Sequence, residues 1–123
     1  MSNFPIIKNQ NTRINNVNWN KLGFGVYFSD HIFVSDYTNG AWDEGKIIPY
    51  GPMEFEPTLC TLHYGQTIFE GLKAFRTKDG INIFRPYNNA RRLNKSAARV
   101  CIPPYDENKL VEAIIELVKL EYK

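Results

Sequence analysis

The chain predicts an α+β fold in which an antiparallel sheet is packed by helices, and three observations carry that expectation. Residues 24–28 (FGVYF) and 31–37 (HIFVSDY) are rich in aromatic and β-branched types and are separated by turn-forming residues, the pattern of short strands. LKAFRT, KDG and INIFR follow one another as two alternating flanks around a tight turn, which is a hairpin signal. Two stretches with helical apolar spacing then close the chain. The length of 123 residues, with 43% apolar and 23% charged content, suits one globular domain with its own core.

Taken in order, residues 1–21 are rich in Asn and short of periodic apolar positions, which predicts a flexible or extended N-terminal arm ahead of a small α+β domain at 22–123. Asn39-Gly40 follows the strand at 31–37 as a turn signal, and residues 42–50 return as its antiparallel partner with a bend at Asp43, Glu44 and Gly45. Gly51-Pro52 breaks that strand. MEFEP (53–57) alternates apolar and acidic residues, the pattern of a half-buried edge strand closed by Pro57.

Residues 61–71 place Tyr64, Ile68 and Phe69 on one helical face, with Gly71 at the helix end. In the hairpin that comes next, Asp79-Gly80 reads as the two-residue turn. Arg85-Pro86 excludes a continuing central strand, and Asn88 or Asn89 can cap a helix to about Val100 with Leu93, Ala97 and Val100 inward. Asp106 opens a last helix with Leu110, Ile114, Leu117 and Val118 on its inner face.

Charge and composition narrow the function. Fifteen basic residues against thirteen acidic leave a net charge of +2 with no long basic run, so nucleic acid is not indicated. The first residues lack a signal-peptide layout, and no apolar run reaches the roughly 20 residues that cross a bilayer, so no membrane partner and a cytoplasmic location are expected. Cys60 and Cys101 are far apart without metal spacing and read as buried free thiols. His31 and His63 read as structural, the first satisfied by Asp30 and the second by main chain. Glu70, beside Gly71, reads as a structural carboxylate near a turn. Glu54 and Glu56 share one face of the expected edge strand and look solvated.

Arg91 and Arg92 lie about a turn inside a helix that opens after a strand and a proline. Helix starts attract anions, and a guanidinium can clamp a phosphate with two parallel bonds; a solvated helix face is the competing reading. Phe24, Tyr64 and Phe69 read from the residues alone as core aromatics rather than pocket walls.

The run HYGQTIFEGLKAFR at 63–76, then FRP at 84–86 and ARRL at 90–93, resembles the amino-terminal domain of branched-chain amino acid aminotransferases, pyridoxal 5'-phosphate (PLP) enzymes of fold type IV. The resemblance spans residues 24–119 almost without gaps; a departure, Asn88-Asn89-Ala90-Arg91, precedes Arg92 without moving it out of register. It implies that Arg92 binds the cofactor phosphate, that Phe24 and Phe69 line the pocket for the branched side chain, and that Tyr64 reaches toward the partner subunit's substrate site in a homodimer. Lys73 aligns with the lysine of GLKAF, which is not the Schiff-base residue. That residue is expected beyond the equivalent of Lys123, in a C-terminal PLP-lysine domain absent from this chain. The parent is thus expected to move the amino group of leucine, isoleucine or valine to 2-oxoglutarate, with an amino acid and a 2-oxo acid as its small-molecule partners. This chain alone is expected to be inactive. D-amino acid transaminases and aminodeoxychorismate lyases share the domain plan, and a non-catalytic protein-interaction module is the reading from another class.

Overall fold

The computed structural model describes residues 3–122; positions 1, 2 and 123, the outer ends of the expected arm and domain, lie outside them. Small antiparallel ladders and helices make the architecture α+β. Two compact units hold the chain, one up to Pro52 and again from Ala113, the other Met53–Glu112.

In the first unit, β1 (His31–Val34) runs on toward β2 (Tyr37–Thr38), and β3 (Ala41–Trp42) returns into β4 (Lys46–Pro49). Both pairs are antiparallel, with Phe33 opposite Ile47 and Thr38 opposite Ala41. Asn39 and Gly40 both have positive φ, at 55° and 84°, the conformation that a two-residue hairpin loop requires and Asn-Gly accepts. Gly45 is also needed: φ is +75°, and a Cβ there would lie 2.3 Å from the Phe33 ring. Asp43 fixes that bend by accepting bonds from the Ser35 hydroxyl and the Asp36 and Gly45 N–H groups.

Between Phe4 and Arg13 the N-terminal segment is bonded to the strands of the first unit. Phe4 is buried and packs edge-on against Phe33 at 5.1 Å. Ile6 makes a parallel bridge to Ile47, with Ile47 N–H donating to Pro5 O and Ile7 N–H to Ile47 O, each at 2.9 Å. The segment therefore adds to the exposed edge of β4, an association driven by two or three apolar residues and main-chain pairing rather than by any periodic pattern. Residues 24–28 form no strand. Gly23 and Gly25, at φ +67° and +68°, turn the chain away from extended geometry.

His31 is buried with partners other than Asp30. Its Nε2 accepts the Asn9 N–H at 2.8 Å, so the ring proton sits on Nδ1, which faces Glu121 Oε1 at 2.6 Å. Glu121 also accepts the Asp30 N–H at 2.9 Å, while the Asp30 carboxylate accepts the Arg13 N–H at 2.8 Å. These satisfied bonds are what allow Asp30 and His31 to be buried.

The second unit opens without the expected edge strand. Residues 53–57 are not extended into any ladder, and Met53 and Phe55 are exposed. The helix expected at 61–71 is only α1 (Cys60–Tyr64), because Gly65 adopts a left-handed C-cap at φ 61° and ends it one turn in. Beyond the extended run that follows, β5 (Ala74–Thr77) and β6 (Gly80–Ile83) form a separate two-stranded ladder rather than part of one sheet. Thr77 pairs with Gly80, so the loop residues are Lys78 and Asp79, one position earlier than expected.

Helix α2 (Pro86–Arg99) starts two to three residues before the expected cap, with Pro86 in its first turn and Arg85 left-handed at φ 49° as N-cap. Proline fits there because its missing N–H would be unpaired in any case. The helix buries Ala90 and Ala97 and ends with Cys101 at φ 56° while Ile102 N–H donates back to Ala97 O, a Schellman-type closure. Asn94 then holds the return of the chain, accepting the Tyr105 N–H and donating to Tyr105 O at 2.9 Å each. Asp106 caps α3 (Glu107–Glu121) through its bond from Lys109 N–H. On that helix Val111 and Ala113 are buried, each one position from the expected Leu110 and Ile114, which like Leu117 and Val118 are half-buried.

Candidate functional site

A carboxylate-held arginine is the most constructed polar group in the second unit. Asn89 and Arg92 lie three residues apart on α2 and so share one face of the helix. Both reach Glu70 in the extended run after α1. Arg92 Nε donates to Glu70 Oε2 at 2.5 Å and Arg92 Nη2 donates to Oε1, a two-pronged pairing of guanidinium and carboxylate. Asn89 Nδ2 donates to Oε1 at 3.0 Å and to Gly71 O at 2.9 Å, and the Gly71 N–H donates to Oε1 at 2.9 Å. Four donors thus converge on one carboxylate whose side chain is 7% exposed, whereas the Arg92 side chain is 67% exposed. Arg91 instead pairs with Glu107 at 3.4 Å and stays on the surface.

This geometry sets the charge state. Arg92 above all, with Asn89 and the Gly71 N–H, holds the Glu70 carboxyl down from about 4.5 to about 2 against the opposing effect of its burial. Because the folded value lies below the unfolded one, the stabilisation is present above about pH 4.5 and is lost as pH falls from there toward 2. The unfolding free energy of the native protein is therefore expected to fall more steeply across that window than that of Glu70→Gln. Equal slopes in acid titration of urea unfolding would show that the cluster does not form in solution.

The aromatic candidates are distributed and outward-facing. Phe24 is 103%, Tyr64 84% and Phe69 88% exposed, so none is the core residue that the bare sequence reading made it. Phe69 precedes Glu70 in the chain, with its ring 3.6 Å from the position a Gly71 Cβ would take. Tyr64 ends α1 and lines an open groove of about 430 Å³ with Cys60, Gly65, Gln66, Val100 and Cys101. Gln66 Nε2 donates to Val100 O across it at 2.8 Å. Phe24 belongs to the other unit, on the bend between Gly23 and Gly25.

Cys60 and Cys101 were expected in the core, but both are exposed free thiols on that groove. Each sits at a helix boundary, where the chain turns outward. His63 fulfils the expected main-chain role, facing Pro57 O at 2.5 Å. Lys73 is exposed just before β5. What sequence reasoning missed is the joint role of Glu70 and Asn89: the first was assigned to its own turn, the second to a helix cap. Only the three-residue spacing of Asn89 and Arg92 could have pointed to a shared acceptor.

Among the described residues no helix is long and apolar enough to cross a membrane. No protein-family model matches the chain. Individual relatives do match. The chain is 50% identical over 102 residues to branched-chain-amino-acid transaminase 1 of Bacillus subtilis, covering 81% of this chain and 29% of that protein. It is 41% identical over 122 residues to a probable branched-chain-amino-acid aminotransferase of Staphylococcus aureus (98% and 34%) and 47% identical over 103 residues to a branched-chain-amino-acid aminotransferase of Mycolicibacterium smegmatis (82% and 28%). The chain spans about a third of the length of these curated relatives. Over that third, the chain is a homologue of these branched-chain-amino-acid aminotransferases.

Proposed function

We propose that this chain is the amino-terminal small domain of a PLP-dependent transaminase that moves the amino group of leucine, isoleucine or valine to 2-oxoglutarate, acting in the cytoplasm as a homodimer. The observation that carries the reading is Arg92. It stands in the ARRL motif where the family resemblance puts the phosphate ligand, it is exposed, and its guanidinium is held in one orientation by a buried carboxylate. A fixed guanidinium fork suits the tail of a phosphate monoester.

In this reading PLP, when bound, supplies the electron sink for the carbon that carries the amino group. The residues of this chain do the holding. Arg92 would hold the phosphate. By the resemblance, Phe24 and Phe69, both exposed, each offer apolar surface to a branched side chain. Tyr64 serves the substrate site of the other subunit. The lysine that carries PLP and the acid that faces its ring nitrogen are assigned to other parts of the parent protein.

Purified full-length protein supplied with PLP is expected to convert leucine and 2-oxoglutarate to the corresponding 2-oxo acid and glutamate, while the 123-residue chain stays at the buffer rate. Preference for D-alanine would move the assignment to D-amino acid transamination, and pyruvate release from aminodeoxychorismate to the lyases. Turnover by the short chain alone would overturn the division of labour.

A further inference from the structure

We propose that Glu70, fastened by Asn89, is the positioning residue of an anion site: it occupies the Nε–Nη2 edge of the Arg92 guanidinium and leaves the adjoining Nη1–Nη2 edge to receive a phosphate monoester. The inference rests on the phosphate reading of Arg92 given above.

A guanidinium carries five N–H donors in one plane. Glu70 takes the Nε donor and one on Nη2. The three that remain are both Nη1 donors and the second Nη2 donor. One from each of these nitrogens forms the parallel pair along the outer edge, the geometry that matches two oxygens of a phosphate. Among the described residues only Glu70 engages this guanidinium. Glu70 cannot swing away with its arginine, because the Gly71 N–H and Asn89 Nδ2 hold the same carboxylate, and Asn89 is itself tied to Gly71 O. The buried partner is therefore the fixed member of the pair and the exposed arginine the guided one. Holding a long arginine in one rotamer before the anion arrives removes an entropy cost that would otherwise fall on binding.

Glu70 also neutralises Arg92, and this makes the proposal testable by sign. If Glu70 were only a structural counter-ion, removing its charge would strengthen attraction for a phosphate dianion. If it positions the fork, removing it weakens binding even though the site becomes more positive.

The test uses full-length apoprotein and measures dissociation constants for PLP and for pyridoxal, which lacks the phosphate, by fluorescence titration. Their ratio isolates the phosphate contribution from every other contact. Glu70→Gln is expected to lower the PLP preference over pyridoxal by on the order of fivefold, with pyridoxal affinity unchanged. Asn89→Ala, which leaves both charges in place, is expected to lower it by a smaller factor, and it carries the test should Glu70→Gln unfold. An unchanged or raised preference in both variants would overturn the positioning role. Arg92→Met separates this from the underlying reading: a preference that survives Arg92→Met refutes phosphate binding by Arg92, whereas a preference lost there but kept in the Glu70 and Asn89 variants refutes only the inference made here.

Discussion

Replacing Arg92 with methionine in the full-length protein is expected to weaken PLP binding by about 10- to 100-fold, the range for loss of charge-assisted hydrogen bonds to an anion. Methionine keeps most of the side-chain length but removes every donor, and the site is exposed enough that no cavity follows. Thermal stability should drop as well, because Arg92 is the largest of the groups that keep the Glu70 carboxylate charged, while Glu70 retains its bonds from Asn89 and the Gly71 N–H. Arg92→Lys separates charge from shape. A lysine restores the positive charge but not the planar fork that pairs with Glu70 on one edge and leaves a second edge outward, so it should recover only part of the loss. Excess PLP should restore turnover in both variants if the defect is one of binding. A variant that binds PLP normally would remove Arg92 from the site.

The sequence was legible where local chemistry decides the structure. Asn39-Gly40, the hairpin of residues 74–83 and the Asp106 cap were all readable because a turn or cap depends on a few neighbouring residues. Boundaries were less legible. Pro86 rather than Asn88 or Asn89 opens α2, since proline both ends a strand and starts a helix. The helix expected at 61–71 failed because its face of Tyr64, Ile68 and Phe69 was outweighed by the left-handed Gly65. At the site, the motifs placed Arg92 about a turn into a helix, whereas the Glu70 to Arg92 pairing spans 22 residues and no local pattern encodes it. The exposure of Phe24, Tyr64 and Phe69 was equally unreadable from composition, because an aromatic at regular spacing serves a core and a pocket alike.

The docked N-terminal segment makes the second large effect, at Ile47. This side chain is 0% exposed, and it lies on the strand whose edge residues 4–7 pair with: Ile6 bridges to it, and Pro5 and Ile7 exchange main-chain bonds with it. Ile47→Ala is expected to destabilise the protein by about 3 to 4 kcal/mol, the middle of the range for a buried isoleucine that leaves a cavity. That would be a large part of the ~5–15 kcal/mol of a typical domain. The main-chain bonds do not involve the side chain, so the loss reports packing alone. Ile48→Ala is the control: it neighbours Ile47 in the same strand but is only half-buried, and its cost should be clearly smaller. The difference between the two, read from urea midpoints at constant slope, measures the cover. Were residues 1–21 a free arm, the segment would not shield β4, Ile47 would be partly wet, and the two alanine variants would unfold at similar urea concentrations. Phe4→Ala closes the argument from the other side. Removing the ring that packs on Phe33 should loosen the segment and bring the Ile47 and Ile48 effects together, since a side chain already exposed by the loss of its cover has less left to lose.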